Sequence, residues 1–169
     1  LGKALFVHVP KTGGTFIRKH LLSNNGVEFS YSHDLPQHHS KTIKRSKLIP
    51  FCFVRHPLEL LYSLWKHWSG DENCRINNLN LELYWQWDKK EYGSILAECI
   101  KEGDINATVF NFVNRYPGFF SSIFKKYTNE CKFIGRYENL NEDLMDILFR
   151  INGEVPELLL VDIFDNKRL

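Results

Sequence analysis

The sequence predicts an α/β fold, with a mostly parallel central sheet and helices on both of its faces. Short apolar runs alternate with longer segments of helical spacing, and a glycine-containing loop follows the first run. Strands separated by helices favour a parallel sheet, because each parallel connection needs a long crossover. The chain has 169 residues, and we expect residues 1–169 to form a single domain.

Composition and charge exclude several classes of protein. Hydrophobic residues make up 43% of the chain and charged residues 25%, which argues against disorder and against a coiled coil. The formal net charge is only +2, so we expect no nucleic-acid partner, although a local anion site needs few residues. No apolar run reaches the ~20 residues that span a bilayer, so no membrane span is predicted. The oligomeric state stays open.

The four cysteines lack the paired spacing that is typical of a zinc site, so no metal site is predicted. Cys52 lies inside an apolar run and is predicted to be a buried thiol. Cys74, Cys99 and Cys131 could supply one disulfide bond in an oxidising compartment.

The chain opens with a predicted strand, loop and helix. Residues 4–9 are apolar and rich in aromatic and β-branched side chains, and Pro10 follows them, which predicts a buried strand. Phe16 begins a series of apolar residues at helical spacing, and residues 24–26 (Asn-Asn-Gly) end that helix. This order is typical of the first unit of a nucleotide-binding α/β domain.

The loop between this strand and helix has the composition of an anion-binding site. Its glycines let backbone N–H groups approach a ligand, and the next helix presents its unpaired N–H groups and positive dipole end. Lys11 adds a full charge, and the threonines add hydroxyl donors. We predict a phosphate- or sulfate-binding loop, with an ordinary strand-to-helix turn as the alternative. The candidate residues are Lys11, Thr12, Gly13, Gly14, Thr15 and Phe16.

The loop is not a Walker A motif, in which the lysine follows the second glycine. Here Lys11 precedes both glycines. A magnesium-dependent NTPase is therefore disfavoured, but a P-loop-type nucleotide kinase with an unusual loop stays an alternative.

The later elements continue the alternation of apolar runs and helical spacing. Strands are predicted over residues 27–33, 48–54 and 132–137. Helices are predicted over 58–68, 91–102, 106–127 with a break at Pro117-Gly118, and 139–152 with Gly153 as a stop. A polar, basic loop is predicted over residues 36–47.

A second candidate anion site follows the strand that covers 48–54. Arg55 ends this strand, and Ser63 lies eight residues later on the predicted helix. A strand end and a second helical turn can face one crevice at that spacing, and an arginine fork with a hydroxyl can bind a phosphate. Alternatively, Arg55 pairs with a surface carboxylate and Ser63 is solvated. Two anion sites together indicate a nucleotide with a phosphate at each end of its ribose.

Three motifs, in this order, resemble sulfotransferases that use 3′-phosphoadenosine-5′-phosphosulfate (PAPS). Residues 9–15, VPKTGGT, resemble the family's 5′-phosphosulfate loop, and Arg55 with Ser63 resembles its 3′-phosphate motif. Residues 135–140, GRYENL, are similar to a late strand-to-helix segment whose tyrosine, here Tyr137, lies near the adenine. The first loop is most similar to Golgi-type carbohydrate sulfotransferases and their bacterial relatives.

The resemblance implies a P-loop-like, three-layer α/β fold and transfer of a sulfuryl group from PAPS to a hydroxyl or amine. It implies a glycan or small molecule as the acceptor, no metal, and either a bacterial-type cytoplasmic or a Golgi lumenal location. A non-catalytic nucleotide-binding module that keeps the fold is the alternative from another class.

In this scheme Lys11 stabilises charge on the bridging and sulfuryl oxygens, and a general base removes the acceptor's proton. His33 is the first candidate, because it follows the strand predicted over residues 27–33, at the end of the sheet that carries the first loop. Some relatives have a glutamate near the start of this strand, so the resemblance implies Glu28 as the rival.

Overall fold

The computed structural model describes residues 3–22, 28–32, 41, 43–44, 47–70 and 104–153. The strands are β1 (Lys3–Val7), β2 (Glu28–Ser32), β3 (Ile49–Val54) and β4 (Phe133–Arg136). The α-helices are α1 (Gly14–Leu22), α2 (Pro57–Gly70), α3 (Ile105–Arg115), α4 (Phe119–Thr128) and α5 (Leu140–Asn152). A 3₁₀ turn, Tyr137–Asn139, joins β4 to α5. The predicted strands and helices in these ranges are confirmed, with ends that shift by up to a few residues.

The predicted helix over 91–102 and Cys74 and Cys99 lie outside the described residues. Within the loop that was predicted over 36–47, Lys41, Ile43 and Lys44 have helical backbone. That prediction was therefore wrong at these three positions. Ile43 is the one apolar residue of the three, so no apolar repeat at helical spacing indicates a helix there.

All pairings in the four-stranded sheet are parallel, in the order β2-β1-β3-β4. The chain passes from β1 to β2 on one side and then crosses to β3 on the other side of β1. Such a reversal of direction opens a crevice at the carboxyl ends of the two strands where it occurs. The predicted α/β class with a parallel sheet is confirmed, and the crevice falls at β1 and β3.

Both faces of the two central strands are buried. Phe6 and Phe51 pair in register on one face, and Leu5 and Cys52 point to the other; all four are at most 2% exposed. On the first face, Ile17 of α1 and the apolar side of α5 pack against the phenylalanines. Burial on two faces explains why β1 and β3 are continuous apolar runs in the sequence.

The chain divides into two compact units, Leu1–Arg55 with Phe124–Leu169, and His56–Ile123. The first unit contains the sheet, α1 and α5. In the second unit α2 packs against α3, and Phe119 meets Phe112 edge-on at 4.6 Å between ring centroids. The prediction of a single domain over 1–169 stays a prediction. Within the described ranges, no helix is both long and apolar enough to cross a membrane.

Residues at the helix ends explain where the helices of both units stop and start. Asp104 caps α3 by accepting a hydrogen bond from the Asn106 N–H at 2.9 Å. Gly118, with φ of 85°, turns the chain between α3 and α4 at the predicted break, and Gly153, with φ of 79°, ends α5.

Cys52 is fully buried, as predicted, and contacts a second thiol. The pKa of Cys52 is raised well above its usual value, mainly by a hydrogen bond with the Cys131 thiol and also by burial. Cys131 donates in turn to the carbonyl of Tyr127 at 3.2 Å. Both thiols are free in this structure. Among the described residues, the thiol beside Cys131 is that of Cys52 in β3.

Candidate functional site

The loop of residues 10–15, here called the Lys11 loop, turns sharply between β1 and α1. Lys11 has a φ of 64°, in the left-handed region that non-glycine residues rarely adopt, and Gly13 has a φ of 81°. The Gly13 carbonyl accepts the first hydrogen bond of α1, from the Ile17 N–H at 3.0 Å. N–H groups in a first turn have no partner inside their helix, so this end of α1 is suited to an anion.

A side chain on either glycine of the Lys11 loop would crowd its neighbours, and the crowding would be worst at Gly14. A Cβ atom on Gly14 would lie 2.0 Å from Nε2 of His8. A Cβ atom on Gly13 would lie 3.0 Å from Cδ2 of Leu140 and 3.2 Å from the ring of Tyr137. The loop is therefore held between the end of β1 and the segment that starts α5.

The two threonines of the loop have different surroundings. Thr12 is fully buried, and its hydroxyl donates a 2.7 Å hydrogen bond to the Val9 carbonyl. The sequence suggested this hydroxyl as a donor to a ligand. In the structure its only proton is used in the bond to Val9, so the Thr12 side chain holds the loop in shape. Thr15 is exposed in the first turn of α1, and Phe16 is half-buried against the core of the sheet.

Arg55, at the end of β3, reaches both other motifs. Its Nη1 donates to the Lys11 carbonyl at 3.3 Å, and its guanidinium carbon lies 4.2 Å from the centroid of the Tyr137 ring. Three segments that are far apart in the sequence therefore meet at the carboxyl ends of β1, β3 and β4. This is where the topology opens its crevice.

Lys11 and Arg55 bring two positive charges close together. Partial burial lowers the pKa of the Lys11 ammonium group, and the charge of Arg55 lowers it further. An anion between the two side chains would offset both effects, because a nearby negative charge favours the charged form of the ammonium. The electrostatics thus favour a negatively charged ligand.

The turn that carries Tyr137 is fixed by Asp143 on α5. One carboxylate oxygen of Asp143 accepts a 2.7 Å hydrogen bond from the Arg136 N–H and lies 3.6 Å from Nε of the same residue. Because Asp143 is in the first turn of α5, its charge also interacts favourably with the helix dipole. The ring of Tyr137 thereby receives a defined position.

The other three predicted site residues belong to α2, to β2 or to residues outside the described ranges. Ser63 lies half-buried on α2, in the second unit, and its role beside Arg55 stays a prediction. His33 lies outside the described residues. Glu28 begins β2 and pairs with Lys3, whereas the Lys11 loop follows the other end of β1.

Sequence reasoning missed two residues that shape the site. His8 falls within the strand predicted over residues 4–9, but β1 ends at Val7, and the His8 ring stacks on Phe6 and fills the space beside Gly14. Asp143 gave no signal beyond an acidic residue near a predicted helix start. The spacing of His8 from the loop in HxPKTGG could have indicated its contact with Gly14. No local pattern indicated the contact of Asp143 with Arg136.

This arrangement can bind a compact anion by charge and by backbone N–H groups. A lysine, an arginine and a helix N-terminus adjoin, and the glycines let the loop between them pack closely against His8 and Tyr137. Among the described residues, no group of three or more His, Cys, Asp or Glu side chains is close enough to hold a metal ion. The prediction that no metal is needed stays a prediction.

Comparison with known proteins places the chain in a family. A model of the sulfotransferase family matches residues 2–157, a range that includes the Lys11 loop, Arg55 and the Tyr137 turn. No curated protein and no solved structure matches the chain.

Proposed function

The chain belongs to the sulfotransferase family, and from this premise we propose that it transfers a sulfuryl group from PAPS to an acceptor. The reacting group of the acceptor is a hydroxyl or an amine, and the acceptor itself is a glycan or a small molecule. This class follows from the likeness of the Lys11 loop to carbohydrate sulfotransferases.

One observation carries the proposal: Arg55 donates to the Lys11 carbonyl at 3.3 Å, and its charge acts on the Lys11 ammonium, so cationic groups from two different strand ends adjoin. A single phosphate would need only one of the two motifs. A nucleotide with separate anionic groups at its 5′ and 3′ positions uses both, and PAPS is such a nucleotide. The donor set therefore fits it.

Bound PAPS would supply a sulfuryl group on an anionic phosphate leaving group. Lys11 would place its ammonium beside the oxygens on which negative charge grows, and the first-turn N–H groups of α1 would donate to the same oxygens. These groups are already oriented before the reaction, since the glycines and the buried Thr12 hydroxyl fix the loop. Such preorganisation is the main source of electrostatic catalysis.

Arg55 would bind the 3′-phosphate through its guanidinium fork, and the sequence adds Ser63 as a second donor. This contact would set the position of the nucleotide along the crevice. A correct position matters because transfer requires the acceptor oxygen or nitrogen in line with the leaving group.

The acceptor's proton would go to a base on or after β2. The register of β2 favours His33 over Glu28, because Ser32 pairs with Val7 at the carboxyl end of the sheet. Glu28 starts the strand, about 13 Å from Ser32 at ~3.3 Å per residue. His33 follows Ser32 directly, and histidine titrates near neutral pH, which suits a general base.

A thermal-shift comparison of 3′-phosphoadenosine-5′-phosphate (PAP), AMP and Mg-ATP tests the proposed function. A ligand that binds only the native state stabilises it by about 2.7 kcal/mol at a hundred times its Kd. We expect PAP to raise the melting temperature clearly more than AMP or Mg-ATP. Stabilisation by Mg-ATP with no preference for a 3′-phosphate would indicate a kinase instead. PAP binding without transfer to any acceptor would indicate a binding module.

A further inference from the structure

The Tyr137 ring contacts two parts of the site at once. One contact is with Gly13 of the Lys11 loop, where the ring edge would lie 3.2 Å from a Cβ atom. The other is with Arg55, whose guanidinium carbon lies 4.2 Å from the ring centroid. A cation at this distance from an aromatic ring is attracted by the ring's negative face.

Arg55 has a long side chain with many rotamers, so something must hold it in one of them. Its hydrogen bond to the Lys11 carbonyl is 3.3 Å long, at the weak end of such bonds. The Tyr137 ring adds a broad contact with the guanidinium group. Asp143 in turn holds the Tyr137 turn through the 2.7 Å bond to the Arg136 N–H.

We propose that Tyr137 is a positioning residue for Arg55: its ring orients the guanidinium group that receives the 3′-phosphate. This inference rests on the proposed function. It differs from the role that the family resemblance implies, in which the tyrosine lies near the adenine. The ring face beneath Arg55 is covered by the guanidinium, so an adenine base cannot stack on that face. The same ring also lies against Gly13, in the other anion-binding segment.

The two roles of Tyr137 predict different ligand preferences. If the ring orients Arg55, its loss weakens the binding of a nucleotide that has a 3′-phosphate and spares AMP, which lacks one. If the ring stacks on adenine, its loss weakens PAP and AMP equally. The ratio of the Kd values for AMP and PAP therefore separates the roles.

The experiment measures both Kd values by calorimetry for the wild type, Tyr137→Phe, Tyr137→Leu and Leu140→Ala. Phenylalanine keeps the ring, and leucine fills the space against Gly13 without one. Leu140→Ala is the matched control, because Leu140 also packs on Gly13 but has no aromatic ring. We expect Tyr137→Leu to lower the AMP-to-PAP ratio roughly 3- to 30-fold, the range of a cation–π contact. Tyr137→Phe and Leu140→Ala should keep the wild-type ratio.

An unchanged ratio in Tyr137→Leu, or equal weakening of both ligands, overturns the positioning role while the proposed function stands. A lower AMP-to-PAP ratio of Kd values in Tyr137→Phe also overturns the positioning role of the ring, because the hydroxyl would then be the responsible group. No preference for PAP in the wild type overturns the proposed function and this inference together. If Tyr137→Leu does not fold, Tyr137→Met replaces it, since methionine also fills the space without a ring.

Discussion

Two turns of this protein use glycine at positive φ, but in opposite surroundings. In the Lys11 loop, Gly13 has a φ of 81° and neighbours at 3.0 and 3.2 Å from its absent Cβ. Gly118, between α3 and α4, has a φ of 85° and nothing within 4 Å of that position. Gly118 needs only conformational freedom, whereas Gly13 needs both freedom and space.

The different surroundings of Gly13 and Gly118 indicate which of the two turns has a strained backbone. The Lys11 loop also contains a non-glycine residue at positive φ and two cations that repel each other. The turn at Gly118 has neither. Strained backbone and crowded charge persist only where surrounding contacts impose them, and such features concentrate at binding sites. The following predictions sharpen this contrast, in order of decreasing effect.

The largest expected effect is on transfer by Lys11→Ala. Loss of the ammonium removes one stabiliser of the transition state, and a comparable loss in other enzymes costs about 10²- to 10³-fold in kcat. We expect a decrease of that size in a PAPS-dependent transfer assay, with an unchanged far-UV circular dichroism spectrum. Full activity in this variant would contradict the role given to the loop.

The next effect is on stability, from Gly14→Ala. The new methyl group would lie 2.0 Å from the His8 ring, so the ring or the start of α1 must move. Overpacking of this kind costs about 1–3 kcal/mol of unfolding free energy. Urea denaturation measures it. Replacing Gly118 by alanine is the control, because only its φ is unfavourable, and we expect a loss of about 1 kcal/mol there.

The pH dependence of PAP binding should follow the lowered pKa of Lys11. The ligand binds the protonated ammonium, so affinity is full below that pKa and falls as the pH rises through it, starting below 10.5. In Lys11→Arg the decline should be absent up to about pH 11, because the guanidinium stays charged. Identical profiles for the two proteins would show that Lys11 does not face the ligand.

The same lowered pKa has a consequence for the ligand-free protein. The folded state loses the Lys11 proton before the unfolded state does, so this group's contribution to stability rises between its folded pKa and 10.5 and is lost as the pH falls through the folded pKa. Urea midpoints at several alkaline pH values, compared with Lys11→Met, measure this contribution. The urea midpoint of the wild type, relative to that of Lys11→Met, should increase as the pH rises.

The smallest effect concerns the backbone at Lys11. Its φ of 64° strains any residue with a Cβ atom, so Lys11→Gly should be more stable than Lys11→Ala by about 0.5–1 kcal/mol. Both variants lack the ammonium, so the comparison isolates the backbone. Equal urea midpoints would mean that surrounding contacts relieve the strain.

Local sequence patterns predicted most of the strands and helices in the part of the chain that the structure describes. The apolar runs of β1 and β3 predicted buried strands, because strands covered on both faces have no polar alternation. Gly153 and Pro117-Gly118 marked helix boundaries through their backbone preferences. The helical backbone at Lys41, Ile43 and Lys44 escaped prediction, because no periodic apolar face accompanies it.

The sequence by itself determined which segments can bind an anion: the residue types around Lys11 and Arg55, and their place after strands, follow from local composition. The tertiary structure decided what those residues contact. Only the parallel pairing in the order β2-β1-β3-β4 brings Arg55 onto the Lys11 carbonyl and the Tyr137 ring, turns Thr12 inward, and sets Glu28 at the far end of the sheet. The physical reason is that local propensity acts over a few residues, whereas strand register and packing join residues that lie far apart in the chain.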